Sequence, residues 1–198
     1  MARPRVHDEN LRVRLLDEAG RMLSDEGPEA LSMRRLATAV STSTSAVYSL
    51  FGGKPELLRA LYLEAFRRFG RYLTAVERTG DPLDDIARLA LAYRASALSD
   101  PHLYAVMFPR PLNGFAPDPE AEAEALTTFE PLIGLVRLAI SQELLVDESA
   151  ETIAVGLWAI VHGLVSLELN NPDIKNDARY RTVVGAALRG WARRPSAG

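Results

Sequence analysis

Apolar residues recur at helical spacing along almost the whole chain, and alternating strand patterns are nearly absent. The first stripe is Leu11, Leu15, Ala19, Met22 and Leu23, with Asp8 or Asn10 placed to cap the helix that carries it. Gly27-Pro28 stops that helix. Ser32 caps a short second helix whose inward face is Met33, Leu36, Ala37 and Val40. After Ser41-Thr42, Ser43 caps a third, with Ala46, Val47 and Leu50 facing in. Gly52-Gly53 closes it, and Pro55 falls in the first turn of the next helix, where a missing N–H costs nothing. The pattern then predicts helices over 54–79, 82–99, 101–108, 120–145, 148–169 and 177–193. Pro109 to Pro119 holds four prolines and a glycine and reads as a loop. The expectation is an all-α protein: a three-helix N-terminal domain over 1–55 and a larger helical domain over 56–198.

Composition narrows the function classes. With 198 residues, 47% of them apolar, the chain can bury a core without staples. It has no cysteine, which removes thiolate chemistry and iron–sulfur clusters and suits a reducing cytoplasm. The start MARPRVHDEN lacks the apolar run of a secretory signal. The longest uncharged stretch, 152–167, spans 16 residues between Glu151 and Glu168. A membrane span takes about 20, so the expectation is a buried helix and no membrane partner. Net charge is −3, divided as +1 over residues 1–60 and −4 over the rest, an asymmetry too mild to mark a DNA-binding end by itself.

Catalytic frames are missing. The three histidines stand far apart at 7, 102 and 162, and no His-x3-His, Gly-x-Ser-x-Gly or dinucleotide fingerprint occurs. Gly52-Gly53-Lys54 lacks the rest of a phosphate-loop frame, and Pro55 follows it. The reading is therefore a non-enzyme with no metal and no cofactor. The alternative is a helical enzyme or ligand-binding protein that does not bind DNA.

Two short helices joined by a tight turn and braced by a first helix suit a helix-turn-helix. The second must keep a small polar outward face to enter a major groove about 12 Å wide. Thr44, Ser45, Tyr48 and Ser49 occupy that face. The segment LATAVSTSTSAVYSLFGGKPELL, Leu36 to Leu58, resembles the helix-turn-helix signature of the TetR family of transcriptional regulators, at matching length and without gaps. Leu36-Ala37, Ser43, Val47-Tyr48, Phe51 and Lys54 stand at its characteristic positions. The resemblance implies that Thr44, Ser45 and Ser49 face base edges, with Ser43 capping their helix. It implies that Tyr48 and Lys54 hold phosphates and that Arg34 reaches a phosphate or a guanine edge. The chain departs from the pattern at Ser41 and Ser45, where glycine is common, and at Leu50, where histidine is frequent.

Beyond residue 60 aromatic and methionine side chains are frequent among the apolar positions. Phe66, Phe69, Tyr93, Tyr104, Met107, Phe108, Phe129 and Trp158 are the candidates for a small-molecule effector pocket, and equally candidates for plain core. Trp158 and His162 share one face of a helix, and WAIVHG is similar to the Trp-x3-His-Gly signature of one TetR C-terminal subgroup. His162 suits either a pocket contact or a hydrogen-bonded core histidine. The helix over 148–169 is apolar nearly all round. The last helix has a stripe at Tyr180, Val183, Val184, Ala187, Leu188 and Trp191. Together they predict a homodimer through the last two helices, which would set two recognition helices about 34 Å apart on a palindromic double-stranded operator. The implied function is repression relieved by a small apolar ligand.

Overall fold

Caps and proline positions decide where the helices begin. A computed structural model describes residues 5–108 and 116–193, so most of the Pro109–Pro119 segment lies outside the described residues. The order is α1 (Arg5–Glu26), α2 (Met33–Ala39), α3 (Thr44–Phe51), α4 (Lys54–Thr74), α5 (Pro82–Ser99), α6 (Pro101–Met107), α7 (Pro119–Leu126), α8 (Glu130–Ser141), α9 (Ala150–Asn170) and α10 (Asp177–Gly190), with a 3-10 turn at Pro172–Ile174. Ser32, Ser43, Asp100, Ser149 and Asn176 each accept a backbone N–H from the first turn of the helix they precede.

Two compact units emerge: Met1–Arg68 with Asp100–Ala125, and Phe69–Ser99 with Leu126–Gly198. In the first, Leu15, Leu16 and Ala19 of α1 are buried, as are Leu36 of α2, Val47 of α3 and Leu57 and Leu61 of α4. Arg68 ties three helices of this unit, reaching Asp17 at 2.7 Å, Glu64 at 2.7 Å and Asp100 at 3.3 Å. In the second unit α5 packs on α8, α9 and α10. Its polar centre is Arg94, 8% exposed, which donates to Glu168 at 2.6 and 3.3 Å and to Asp177 at 2.8 Å. The Tyr180 ring lies 5.0 Å from the same guanidinium, and its hydroxyl donates to the Ala90 carbonyl at 2.7 Å.

Several boundaries differ from the sequence pattern for identifiable reasons. Helix α1 begins a turn before the Asp8 or Asn10 cap, so Asp8 lies in its first turn, where the dipole favours a carboxylate. Helix α4 ends at Thr74 rather than near 79, and Asp85 captures both the Thr79 amide (2.8 Å) and hydroxyl (2.9 Å). Those bonds hold the Asp85 carboxyl below the usual carboxylate range, the amide bond foremost. The single helix expected over 120–145 is two: Pro131 lacks the N–H that an uninterrupted helix would need and instead opens α8. Helix α8 ends at Ser141, where Glu143 turns left-handed (φ 57°) and Leu144 N–H returns to the Ala139 carbonyl. Residues 191–193 pair with the loop after α8: Val146 N–H donates to Trp191 O at 2.9 Å, and Arg193 N–H to Leu144 O at 3.0 Å. Gly156 lets the Trp191 ring approach, since a Cβ there would sit 3.3 Å from Trp191 Cζ2.

Helix α9 is 21 residues long, and by length and composition alone it could cross a membrane. One side of it is buried within its unit through Ile153, Ala154, Leu157, Val161 and Val165. The stripe predicted as a seam on α10 faces inward at its main positions: Tyr180, Val184 and Leu188 are buried in the protomer.

Candidate nucleic-acid interface and effector site

Helix α3 is built to present one face. Val47 and Phe51 are buried against the unit, which turns Ser45, Tyr48 and Ser49 outward, with Thr44 half-buried at the start. Tyr48 is 51% exposed. Ser43 Oγ accepts the Ala46 N–H at 3.1 Å and lies 2.9 Å from Ser45 Oγ. The capping role of Ser43 is thus internal, and it fixes the Ser45 hydroxyl as well.

The turn before α3 closes without glycine. Ser41 takes the left-handed conformation (φ 55°), Ser41 N–H donates to Thr38 O at 3.1 Å, and Thr42 N–H to Ala37 O at 2.9 Å. This is the paired bond pattern of a Schellman end, normally completed by glycine, here at a conformational cost of about 1 kcal/mol. Arg14 of α1 braces the same turn, donating to Val40 O at 2.7 Å. Neither brace is apparent from helical periodicity; only the turn residues hint at them.

The cations behave differently from one another. Arg34 is exposed on α2. Its neighbour Arg35 is held by Glu26 at 3.0 Å and by the Ala30 carbonyl at 3.0 Å. Lys54, expected at a phosphate, donates to the Pro28 carbonyl at 3.0 Å.

The aromatic candidates divide between the two units. In the first, Phe66 packs on Tyr62 (4.9 Å) and Phe108 (6.1 Å), Tyr104 on Phe108 (5.3 Å), and Met107 is buried. Tyr62 was not among the sequence candidates, though it stands one helical turn before Phe66. In the second, Phe69 meets Tyr93 edge-on (5.1 Å), Phe129 meets Trp158 (5.9 Å), and Trp158 lies 5.6 Å from His162. Tyr93 Oη and His162 Nδ1 are 2.9 Å apart, so α5 and α9 share a hydrogen bond inside the ring cluster. Phe69 and Tyr93 are buried, whereas Phe129, Trp158 and His162 are half-buried. Among the described residues no group of three His, Asp or Glu side chains is placed to hold a metal.

Burial holds the His162 imidazole below its ordinary pKa. The folded state therefore resists a proton that the unfolded chain accepts, and stability should fall as pH drops below about 6.5, the unfolded histidine value. His162→Gln should remove that part of the slope. Between about pH 7.5 and 5.5 its thermal midpoint should fall less than that of the wild type. Equal falls would take His162 out of the pH response.

Comparison with known proteins bears on the family and the fold. Residues 15–61 match the model of bacterial regulatory proteins, tetR family. Residues 86–183 match that of the tetracyclin repressor-like C-terminal domain. An uncharacterized HTH-type transcriptional regulator of Mycobacterium tuberculosis is 29% identical over 189 residues, covering 93% of this chain and 83% of the relative. The TetR family transcriptional regulator PfmR from Thermus thermophilus shares the fold at TM-score 0.72 and 21% identity, over 89% of this chain and 97% of its own. A TetR family regulator from Marinobacter aquaeolei does so at TM-score 0.76 and 18% identity, over 96% and 100%.

Proposed function

The chain belongs to the TetR family of helix-turn-helix transcriptional regulators, and we propose that it is a dimeric repressor released from a palindromic operator by a small apolar effector. Residues 1–55 read DNA in this account, and 56–198 bind the effector and the second subunit. It acts in the cytoplasm, as a regulator without catalytic residues. Trp158, His162 and Gly163 are taken as the Trp-x3-His-Gly signature of one C-terminal subgroup. The rings of Phe69, Tyr93, Phe129 and Trp158 supply apolar surface for an effector, and the Tyr93–His162 pair supplies polar groups beside it. Phe66, Tyr104 and Phe108, with Met107 buried in the same unit, form the second group available to an effector.

The observation that carries the DNA reading is the outward face of α3. A capped, eight-residue helix exposes Ser45, Tyr48 and Ser49 while its apolar side is anchored. Small hydroxyls at a groove-facing helix read base edges, and Tyr48 and Arg34 add phosphate contacts. Selection of binding sites from random duplex DNA tests it. The wild type should enrich a two-fold symmetric motif with half-sites about one helical turn apart. Thr44→Ala and Ser49→Ala should each relax preference at particular positions by roughly tenfold, leaving the rest of the motif intact. Failure to enrich any motif would defeat the repressor reading. An identical motif from both variants would defeat the base-contact assignment alone.

A further inference from the structure

The Lys54 ammonium joins two parts of the first unit that are distant in sequence. Lys54 is the first residue of α4, directly after the Gly52-Gly53 break that ends the recognition helix. Its Nζ donates to the carbonyl of Pro28, 26 residues earlier, at 3.0 Å, in a part-buried contact. Pro28 follows Gly27 in the loop between α1 and α2, a loop closed by Ala30 N–H on Gly27 O at 3.2 Å. Arg35 of α2 holds the same loop through Ala30 O and reaches Glu26 at the end of α1. The α1–α2 loop is thereby tied to the start of α4 by Lys54 and to α2 by Arg35, and α2 is the helix that α3 packs on.

We infer that Lys54 is a positioning residue for α3: by tying the start of α4 to Pro28 it fixes the exit of the recognition helix, and so contributes to sequence discrimination as well as to affinity. An ammonium has three N–H donors, and one is engaged by Pro28, so the group can meet a phosphate while still holding the loop. A pure phosphate contact carries no sequence information, and its loss weakens all DNA equally. A residue that aims the reading helix does more: its loss weakens the specific complex beyond the non-specific one. This role rests on the DNA-binding reading, except that the tie itself is present in the free protein.

The test uses the full chain and three forms: wild type, Lys54→Met and Lys54→Arg. Methionine keeps the stem and removes charge and donors; arginine restores both. Each is titrated, at one salt concentration, with the duplex that wild type selects and with a scrambled duplex of equal length. Amide exchange at Ala30 is followed without DNA. Lys54→Met should weaken the scrambled complex by about threefold and the selected one by about thirtyfold, cutting the specificity ratio roughly tenfold. Exchange at Ala30 should quicken, and Lys54→Arg should restore the ratio to within about threefold of wild type. Equal weakening of both duplexes would overturn the positioning role, even with faster exchange, leaving only a structural tie. Unchanged exchange in Lys54→Met would overturn the tie. A wild type that selects no sequence would defeat the repressor reading instead, and the exchange arm would still decide whether the tie exists.

Discussion

Replacing Arg94 with methionine should destabilise the protein by about 3–5 kcal/mol, because it strands a buried carboxylate. Glu168 is 7% exposed and receives two guanidinium N–H groups, at 2.6 and 3.3 Å. The Asn176 amide, 3.3 Å away, also donates to it. The hydrogen bond from Arg94 to Glu168 is the largest influence raising the arginine pKa, so the charge persists across the whole accessible range. Asp177 is 79% exposed and would simply hydrate. For a chain of this length the loss corresponds to a midpoint lowered by about 10 °C. The double variant Arg94→Met/Glu168→Leu removes both charges and should recover most of the loss. Thermal unfolding of the three proteins decides it. A single variant within about 1 kcal/mol of wild type would mean that water already reaches Glu168. A double variant no better than the single would place the cost in packing against Tyr180.

Local periodicity encodes the helices of this fold but not that network. Leu36, Val47 and Phe51 declare their helices because burial follows a 3.6-residue period, and Ser32 and Ser43 declare the starts because a hydroxyl there satisfies an orphan N–H. Pairings such as Arg94 with Glu168, 74 residues apart, leave no local trace. Neither does Lys54 on Pro28: the residue pattern identified the lysine, and only the fold supplied its partner. The break within 120–145 was legible in principle, since Pro131 stood in the middle of the predicted helix. The aromatic candidates were legible as a set but not as an arrangement, because periodicity fixes the face of a residue and not which unit it joins.

The same distinction relocates the expected dimer seam. A helix apolar all round must be covered on both sides, and α9 exposes Val155 (48%) and Leu167 (58%) on the side away from its buried residues. Between them stand Ala159 and Gly163, and the four residues are spaced by four along one face. No neighbouring atom lies within 4 Å of a Cβ built at Gly163, which leaves room for close approach. On α10 the exposed positions include Ala178, Thr182 and Ala186 together with Arg179, Arg181 and Arg189, because Tyr180, Val184 and Leu188 face the core. A carboxylate at Val184 would therefore unfold the protomer and say nothing about assembly. Ala159→Glu places the charge on the outward face instead. If α9 and α10 pair with their copies across a two-fold axis, that carboxylate is buried in the seam. The dimer dissociation constant should then rise by about a hundredfold or more, with the protomer's thermal midpoint in the monomeric state unchanged. Operator affinity should fall by about 10²–10⁴-fold, since each half-site would be held singly. Sedimentation velocity and fluorescence anisotropy on the selected duplex measure the two effects. A wild type that is monomeric at micromolar concentration, or an Ala159→Glu protein that still sediments as a dimer, would remove this face as the interface.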